Sequence, residues 1–126
     1  MKAETELLRQ INPNFIQDGR VSSQAFRPTP KDEGRLSVYD SDLIDPSAAF
    51  AHFTGNLGFQ SCGVQAVTVA ECAGLDLPAR PDPAPFPEHA VIDFSAFQKR
   101  QVEGKAKQLR VLAEARGWRY RAEAGS

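Results

Sequence analysis

The segment from Ser95 to Gly117 constrains the fold of this 126-residue chain more than any other stretch. Its apolar residues recur at helical spacing, and these are Val102, Ala106, Leu109 and Ala113. That spacing places them on one face of an α-helix, so the sequence predicts a helix that packs against a core. Ser95 followed by Gln98 fits a capping box at its start, and Gly117 predicts its end.

The net charge of −1 is distributed unevenly along the chain. Residues 96–126 hold eight basic and three acidic groups, which gives +5. The 95 residues before them hold seven basic and thirteen acidic groups, which gives −6. A basic end of this kind can steer an acidic partner. It can equally reflect an intramolecular match between a basic helix and an acidic body, and the sequence leaves both explanations open.

Extended segments are predicted on both sides of a proline-rich stretch. Residues 78–87 contain five of the nine prolines, which excludes a helix or a central strand and favours the polyproline II conformation. Residues 15–26 predict a hairpin, because Asp18-Gly19 supplies the positive φ angles of a tight turn. Further strands are predicted at residues 36–39, 63–67 and 89–94, with an edge strand or a packed segment at 118–120.

Short helices are predicted at three other places. Residues 4–11 carry their apolar side chains on one side of a helix before Asn12-Pro13 ends it. Residues 46–54 follow Asp45-Pro46, which is a favourable helix start. A third short helix follows the capping-box pattern of residues 68–71. We expect residues 122–126 to fray.

Together these elements predict an α+β fold in a single domain spanning residues 1–126. We expect a small, mostly antiparallel sheet packed by the long C-terminal helix and by two or three short helices. The length suits one domain of common size. No apolar run reaches the roughly 18 residues that a membrane-spanning helix needs.

The two cysteines, Cys62 and Cys72, are interpreted as free thiols in a reducing compartment. Small secreted domains usually carry a denser disulfide framework. The N-terminus also lacks an apolar stretch behind a basic start, which argues against a secretory signal. We therefore expect a cytoplasmic, bacterial-type protein without a membrane segment.

The sequence contains no motif for a metal or a cofactor. The imidazole and thiol ligands, His52, Cys62, Cys72 and His89, lie too far apart along the chain for a zinc pattern. The glycine patterns that cradle phosphates and dinucleotides are missing as well. We expect no bound metal and no cofactor.

His89 is the best single candidate for chemistry. It follows the rigid proline segment and opens an apolar strand, which places it at a strand end near a loop. Histidine titrates near neutral pH and suits general acid–base catalysis. Cys62 could act as a nucleophile if it lay beside His89. The alternative, which we favour, is a histidine that only hydrogen-bonds a loop carbonyl.

A polar cluster at the end of the hairpin could converge with His89 on a pocket. Asp32 and Ser37 are candidate catalytic partners. Arg27 and Arg35 could hold an anionic ligand, with Gln24 beside them. The alternative is a solvated loop that needs these charges only to stay soluble.

The leading hypothesis from the sequence is a non-catalytic binding or accessory module that acts through a protein partner. It depends on the uneven charge and on the absence of catalytic motifs. The first alternative is an enzyme or an anionic-ligand-binding protein with a site around His89, Arg27 and Arg35. The second is nucleic-acid binding through the basic C-terminal segment, where Trp118 and Tyr120 lie among arginines.

Overall fold

The computed structural model of the protein describes residues 1–122, and residues 123–126 lie outside it. The strands are β1 (Glu6–Gln10), β2 (Ile16–Gln17), β3 (Arg20–Val21), β4 (Arg35–Asp40), β5 (Gly63–Thr68), β6 (Ala79–Pro81), β7 (His89–Asp93) and β8 (Tyr120–Arg121). The α-helices are α1 (Pro46–Ala51), α2 (Val69–Ala73) and α3 (Lys99–Arg116). Shorter helices are 3₁₀ turns at Pro13–Phe15, Ser23–Phe26 and Pro30–Asp32 and a π-turn at His52–Asn56. This is the α+β arrangement that the sequence predicted.

Six strands form one sheet in the order β6-β7-β4-β1-β5-β8, and every neighbouring pair is antiparallel. The proline segment supplies the edge strand β6. Proline has no N–H to donate to a neighbouring strand, so Pro81 is tolerated at the edge of the sheet. Strands β2 and β3 form a separate hairpin. Its turn has positive φ at Asp18 (52°) and Gly19 (78°), as predicted.

The sheet is buried on both faces. On the α3 face, α3 and the 3₁₀ helix Ser23–Phe26 cover the larger core, which includes Phe26, Phe94 and Leu109. On the α1 face, α1 and the π-turn cover a smaller cluster around Leu8 and Tyr39. Both clusters share the same central strands, so the two faces are parts of one folded unit.

The helix predicted at residues 4–11 is wrong, because this segment forms the central strand β1. Leu7 and Leu8 are both fully buried, yet they lie on opposite faces of the sheet. Adjacent apolar residues suit a strand that is covered on both sides, and such a strand shows no simple alternation. The sequence spacing therefore fitted a helix and a buried strand equally well.

Two element boundaries also differ from the prediction. The last helix begins at Lys99 with Gln98 as its N-cap, and Gln98 and Gln101 form the capping box. The predicted cap, Ser95, instead donates its N–H to the Asp93 carboxylate at 2.8 Å. The second arm of the hairpin ends early, since residues 23–26 form a 3₁₀ helix. The stop at Gly117 is confirmed.

After α3 the chain returns to the sheet as the edge strand β8, Tyr120–Arg121. The N–H of Ala122 donates to the carbonyl of Cys62 at 3.0 Å. The other residues for which fraying was predicted, 123–126, lie outside the described part of the chain. Within residues 1–122, none of the helices is long and apolar enough to cross a membrane.

Two of the eight basic groups of residues 96–126, Arg116 and Arg119, are paired with acidic groups of the body. Arg116 donates two hydrogen bonds to the Glu71 carboxylate, at 2.8 and 3.0 Å. Burial raises the pKa of Glu71, but the hydrogen bonds from Arg116 and Thr68 outweigh it, so the pKa lies below its ordinary value. Arg119 forms an ion pair with Glu6. These contacts favour the intramolecular explanation of the uneven charge.

Gly63 provides a test of how β8 is seated. A Cβ atom at this position would lie 2.6 Å from the carbonyl oxygen of Tyr120 and 2.8 Å from the Trp118 ring. We expect Gly63→Ala to lower the free energy of unfolding by about 1–3 kcal/mol, because backbone cannot move aside cheaply. Urea unfolding followed by circular dichroism measures this.

The matched control is Gly104→Ala in the middle of α3, where nothing lies within 4 Å of the added Cβ. Alanine is the better helix former, so this variant should be about 0.5–1 kcal/mol more stable than the natural chain. Equal effects of Gly63→Ala and Gly104→Ala would contradict the close packing of β8 against Gly63.

Candidate functional site

The central strands β1 and β4 separate partway along their length. They pair at only two positions, Leu7 with Asp40 and Leu8 with Tyr39, whereas β1 pairs with β5 at five positions. Arg9 spans the gap that follows. Its Nε donates to the carbonyl of Ala25 at 2.6 Å, and its Nη1 donates to the carbonyl of Ser37 at 2.9 Å. Burial lowers the pKa of Arg9 to about 10.

A cavity of about 350 Å³ opens on the α1 face above this gap. Its apolar walls come from Leu8, Tyr39, Phe53, Leu57, Phe59, Pro85 and Phe86. Its polar lining is Arg9, Gln10, Ser37 and His89. Apolar walls with a few convergent polar groups are typical of small-molecule sites, and the volume falls in their range. Leu57 and Phe59 are exposed large apolar residues, so the lining remains partly open to solvent.

Gln10 is the least satisfied polar residue of this lining. Its side chain is only 5% exposed, yet within residues 1–122 neither its amide oxygen nor its amide nitrogen has a hydrogen-bond partner. Leaving such groups unpaired costs about 1–3 kcal/mol, and buried polar groups in folded proteins are nearly always bonded. An unpaired donor and an unpaired acceptor therefore belong to one residue of the cavity lining.

His89 and Ser37 meet on the same wall of the cavity. Tyr39 is the register partner of His89 and Val91 that of Ser37, which makes Ser37 and His89 diagonal neighbours on one face. The Nε2 atom of His89 lies 3.1 Å from the hydroxyl of Ser37. His89 is 7% exposed, while Ser37 is exposed.

Asp82 holds the other side of the His89 ring. The Nδ1 atom lies 2.8 Å from the backbone carbonyl oxygen of Asp82 and 3.4 Å from its carboxylate. A carbonyl oxygen can only accept, so Nδ1 carries the hydrogen. In the neutral ring, Nε2 is then an acceptor and the Ser37 hydroxyl donates to it.

An aromatic cluster forms the wall beyond His89. The hydroxyl of Tyr39 lies 2.8 Å from Nδ1 of His52, and the ring of Phe86 packs against Tyr39, His52 and His89 at centroid distances of 4.7–5.2 Å. Burial, together with the negative charge of Glu88, raises the pKa of Tyr39 to about 12. Tyr39 therefore remains a neutral phenol throughout the physiological range.

The structure places the other candidate residues away from this cavity. Arg35 pairs with Glu33 at 2.8 Å, and Arg27 lies 3.5 Å from Glu103 beside α3. Asp32 accepts from the N–H and hydroxyl of Thr29 and so caps a 3₁₀ helix. Gln24 is exposed on the 3₁₀ helix 23–26. Of the six candidate residues, His89 and Ser37 are brought together.

The cysteines do not join the cavity either. Cys62 packs against the core on the α3 face, and burial raises the pKa of its thiol. Cys72 is fully buried, and both cysteines are unpaired. Across residues 1–122, His, Cys, Asp and Glu side chains form no group of three or more that could hold a metal ion.

No known protein family, curated protein or solved structure matches this chain. The sequence pattern pointed to His89 and Ser37 but not to Gln10, Arg9 or Asp82. A signal for Arg9 and Gln10 was present, because these two long polar residues directly follow the apolar pair of β1.

Tyr39 gives a pH-dependent test of the cavity wall. The unfolded chain loses the tyrosine proton near pH 10, whereas the folded chain keeps it to about pH 12. Between these values the folded state binds more protons, so stability falls as pH rises. In Tyr120→Phe, which leaves Tyr39 as the single tyrosine, absorbance at about 295 nm should show only about a tenth of the phenolate signal at pH 11 while the circular dichroism remains native. A midpoint near pH 10 in the folded protein would contradict the burial of Tyr39.

Proposed function

We propose that this protein binds a small organic molecule with an aromatic or branched apolar body and one carboxamide group. The observation that carries the proposal is Gln10, a residue of the cavity lining whose buried amide oxygen and nitrogen have no partner within residues 1–122. A carboxamide ligand supplies the complement, because its C=O accepts from Nε2 and its N–H donates to Oε1. The aromatic walls supply the apolar contact.

The proposal keeps a ligand site around His89, which was the first alternative from the sequence, but its neighbours are Gln10 and Ser37 in place of Arg27 and Arg35. The guanidinium groups of Arg27 and Arg35 are engaged elsewhere, so an anionic ligand held by that pair receives no support. Arg9 is the cation nearest to the cavity, and both of its observed hydrogen bonds go to backbone carbonyls. Free thiols agree with the cytoplasmic location that we retain in this proposal.

Docking of a protein partner or a nucleic acid receives less support from the contacts. Arg116 and Arg119 are paired with Glu71 and Glu6, as described above. Arg121 lies over the Trp118 ring at 5.1 Å, and Tyr120 packs on the ring of Phe50. These three arginines and both aromatic rings are therefore engaged within the fold, and we place small-molecule binding ahead of docking.

The variant Gln10→Leu tests whether Gln10 binds the ligand or only stabilises the fold. Removing an unpaired buried amide should raise the free energy of unfolding by about 1–3 kcal/mol. The same change should weaken binding of 2-phenylacetamide about tenfold or more, because the amide of the ligand loses both partners. Urea unfolding measures the first effect, and titration followed by ¹H–¹⁵N correlation spectra measures the second.

Gln65→Leu is the matched control, because Gln65 is a buried glutamine of the neighbouring strand β5 that does not line the cavity. It should leave 2-phenylacetamide affinity unchanged. Ethylbenzene, which has the apolar body without the amide, should bind Gln10→Leu at least as well as the natural chain. Loss of stability in Gln10→Leu, or unchanged affinity for the amide, would contradict the proposal.

A further inference from the structure

We infer that the cavity hydrolyses the carboxamide that it binds, with Ser37 as the nucleophile, His89 as the general base and Asp82 as the group that positions the imidazole. This inference rests on the proposed function, since it takes the same ligand in the same cavity. It goes beyond binding because it assigns a reaction and three roles. Two of these residues line the cavity, and the third holds the histidine from behind.

The geometry of these three residues is that of an activated serine. A serine nucleophile needs a base within hydrogen-bond reach, and the base needs a third group that fixes its orientation. Ser37 and His89 meet the first condition at 3.1 Å, and Asp82 meets the second through its carbonyl at 2.8 Å and its carboxylate at 3.4 Å. The resulting tautomer leaves Nε2 free to take a proton from Ser37.

The surroundings prepare Ser37 in two further ways. Ser37 is exposed and lines the cavity, whereas His89 is 7% exposed and is held in place by Phe86, whose ring meets it edge-on at 5.2 Å. Its backbone is fixed by Arg9, which donates to the Ser37 carbonyl. The nucleophile is therefore accessible, while the base and the backbone are rigid, as an efficient acyl transfer requires.

Acylation follows directly from this arrangement. The Oγ of Ser37 attacks the carbonyl carbon of the amide, and its proton passes to Nε2 of His89. The carbonyl oxygen becomes an oxyanion, which the unpartnered Nε2–H of Gln10 stabilises. When the C–N bond breaks, His89 returns the proton to the departing nitrogen, which leaves as ammonia or an amine.

Deacylation uses water as the second reactant. His89 takes a proton from the water, whose oxygen attacks the ester of Ser37. Collapse of the intermediate breaks the bond to Oγ, and the same proton returns to Ser37 from His89. The products are a carboxylic acid and a regenerated site. A carboxylate has no N–H to offer the Oε1 of Gln10, which favours release of the product.

The first experiment asks whether Ser37 is an activated nucleophile. The full chain is treated with an alkyl fluorophosphonate, which phosphonylates activated serines with loss of fluoride, and the modified peptide is identified by mass spectrometry. We expect modification at Ser37, no modification of Ser37→Ala, and a rate at least about a hundredfold lower in His89→Gln. Ser23→Ala, which changes a serine outside the cavity, should react like the natural chain.

The second experiment follows conversion of 2-phenylacetamide to phenylacetic acid by NMR, and it measures binding of the amide to Ser37→Ala in parallel. Ser37 is exposed, so this variant should fold even if His89→Gln does not. Asp82→Asn keeps the backbone carbonyl that accepts from Nδ1 and removes the carboxylate charge 3.4 Å away, so we expect slower turnover with little change in amide affinity. Amide binding without turnover or Ser37 labelling would overturn the hydrolysis alone, whereas failure to bind the amide would overturn the proposed function as well.

Discussion

The bridge formed by Arg9 is the constraint on which the candidate site depends. Two central strands of a sheet normally pair along their whole length, but β1 and β4 part after two residue pairs. The guanidinium satisfies carbonyl oxygens on both sides of the opening, one in the 3₁₀ helix at Ala25 and one in β4 at Ser37. A charged group is a strong donor, so this bridge replaces ladder hydrogen bonds that the separated strands lack. The cavity on the α1 face lies above this opening.

The same opening explains why a polar side chain is tolerated in the central strand. Gln10 lies in β1 directly after the bridge, where an apolar residue would pack without the cost of unpaired amide atoms. The cores on both faces of the sheet provide the stability that offsets this cost. Natural proteins break local rules of this kind mainly at functional sites. The unpaired amide belongs to a residue that lines the same cavity as a serine–histidine pair, and this position is more informative than the presence of the amide alone.

Capping residues in the sequence correctly predicted several helix ends. Asp45 caps α1, Thr68 and Glu71 form the capping box of α2, and Gly117 ends α3, as expected from the sequence. The start of α3 could not be decided this way, because the Ser95/Gln98 pattern overlaps the Gln98/Gln101 pattern that begins three residues later. The nature of β1 depends on being covered from both sides, and no local pattern contains that information.

In the candidate site, too, local signals select individual residues, whereas their contacts depend on the fold. His89 and Ser37 could be selected because their residue types and strand positions suit chemistry, but their contact is set by the register of β4 and β7. A shift of one residue would turn Ser37 to the α3 face and remove it from His89. Asp82 reaches the imidazole only because the proline segment folds back along β7, where the N–H of Asp82 donates to the carbonyl of His89 at 2.9 Å. The proline segment thus contributes rigidity to the orientation of a histidine, a role that its composition alone does not predict.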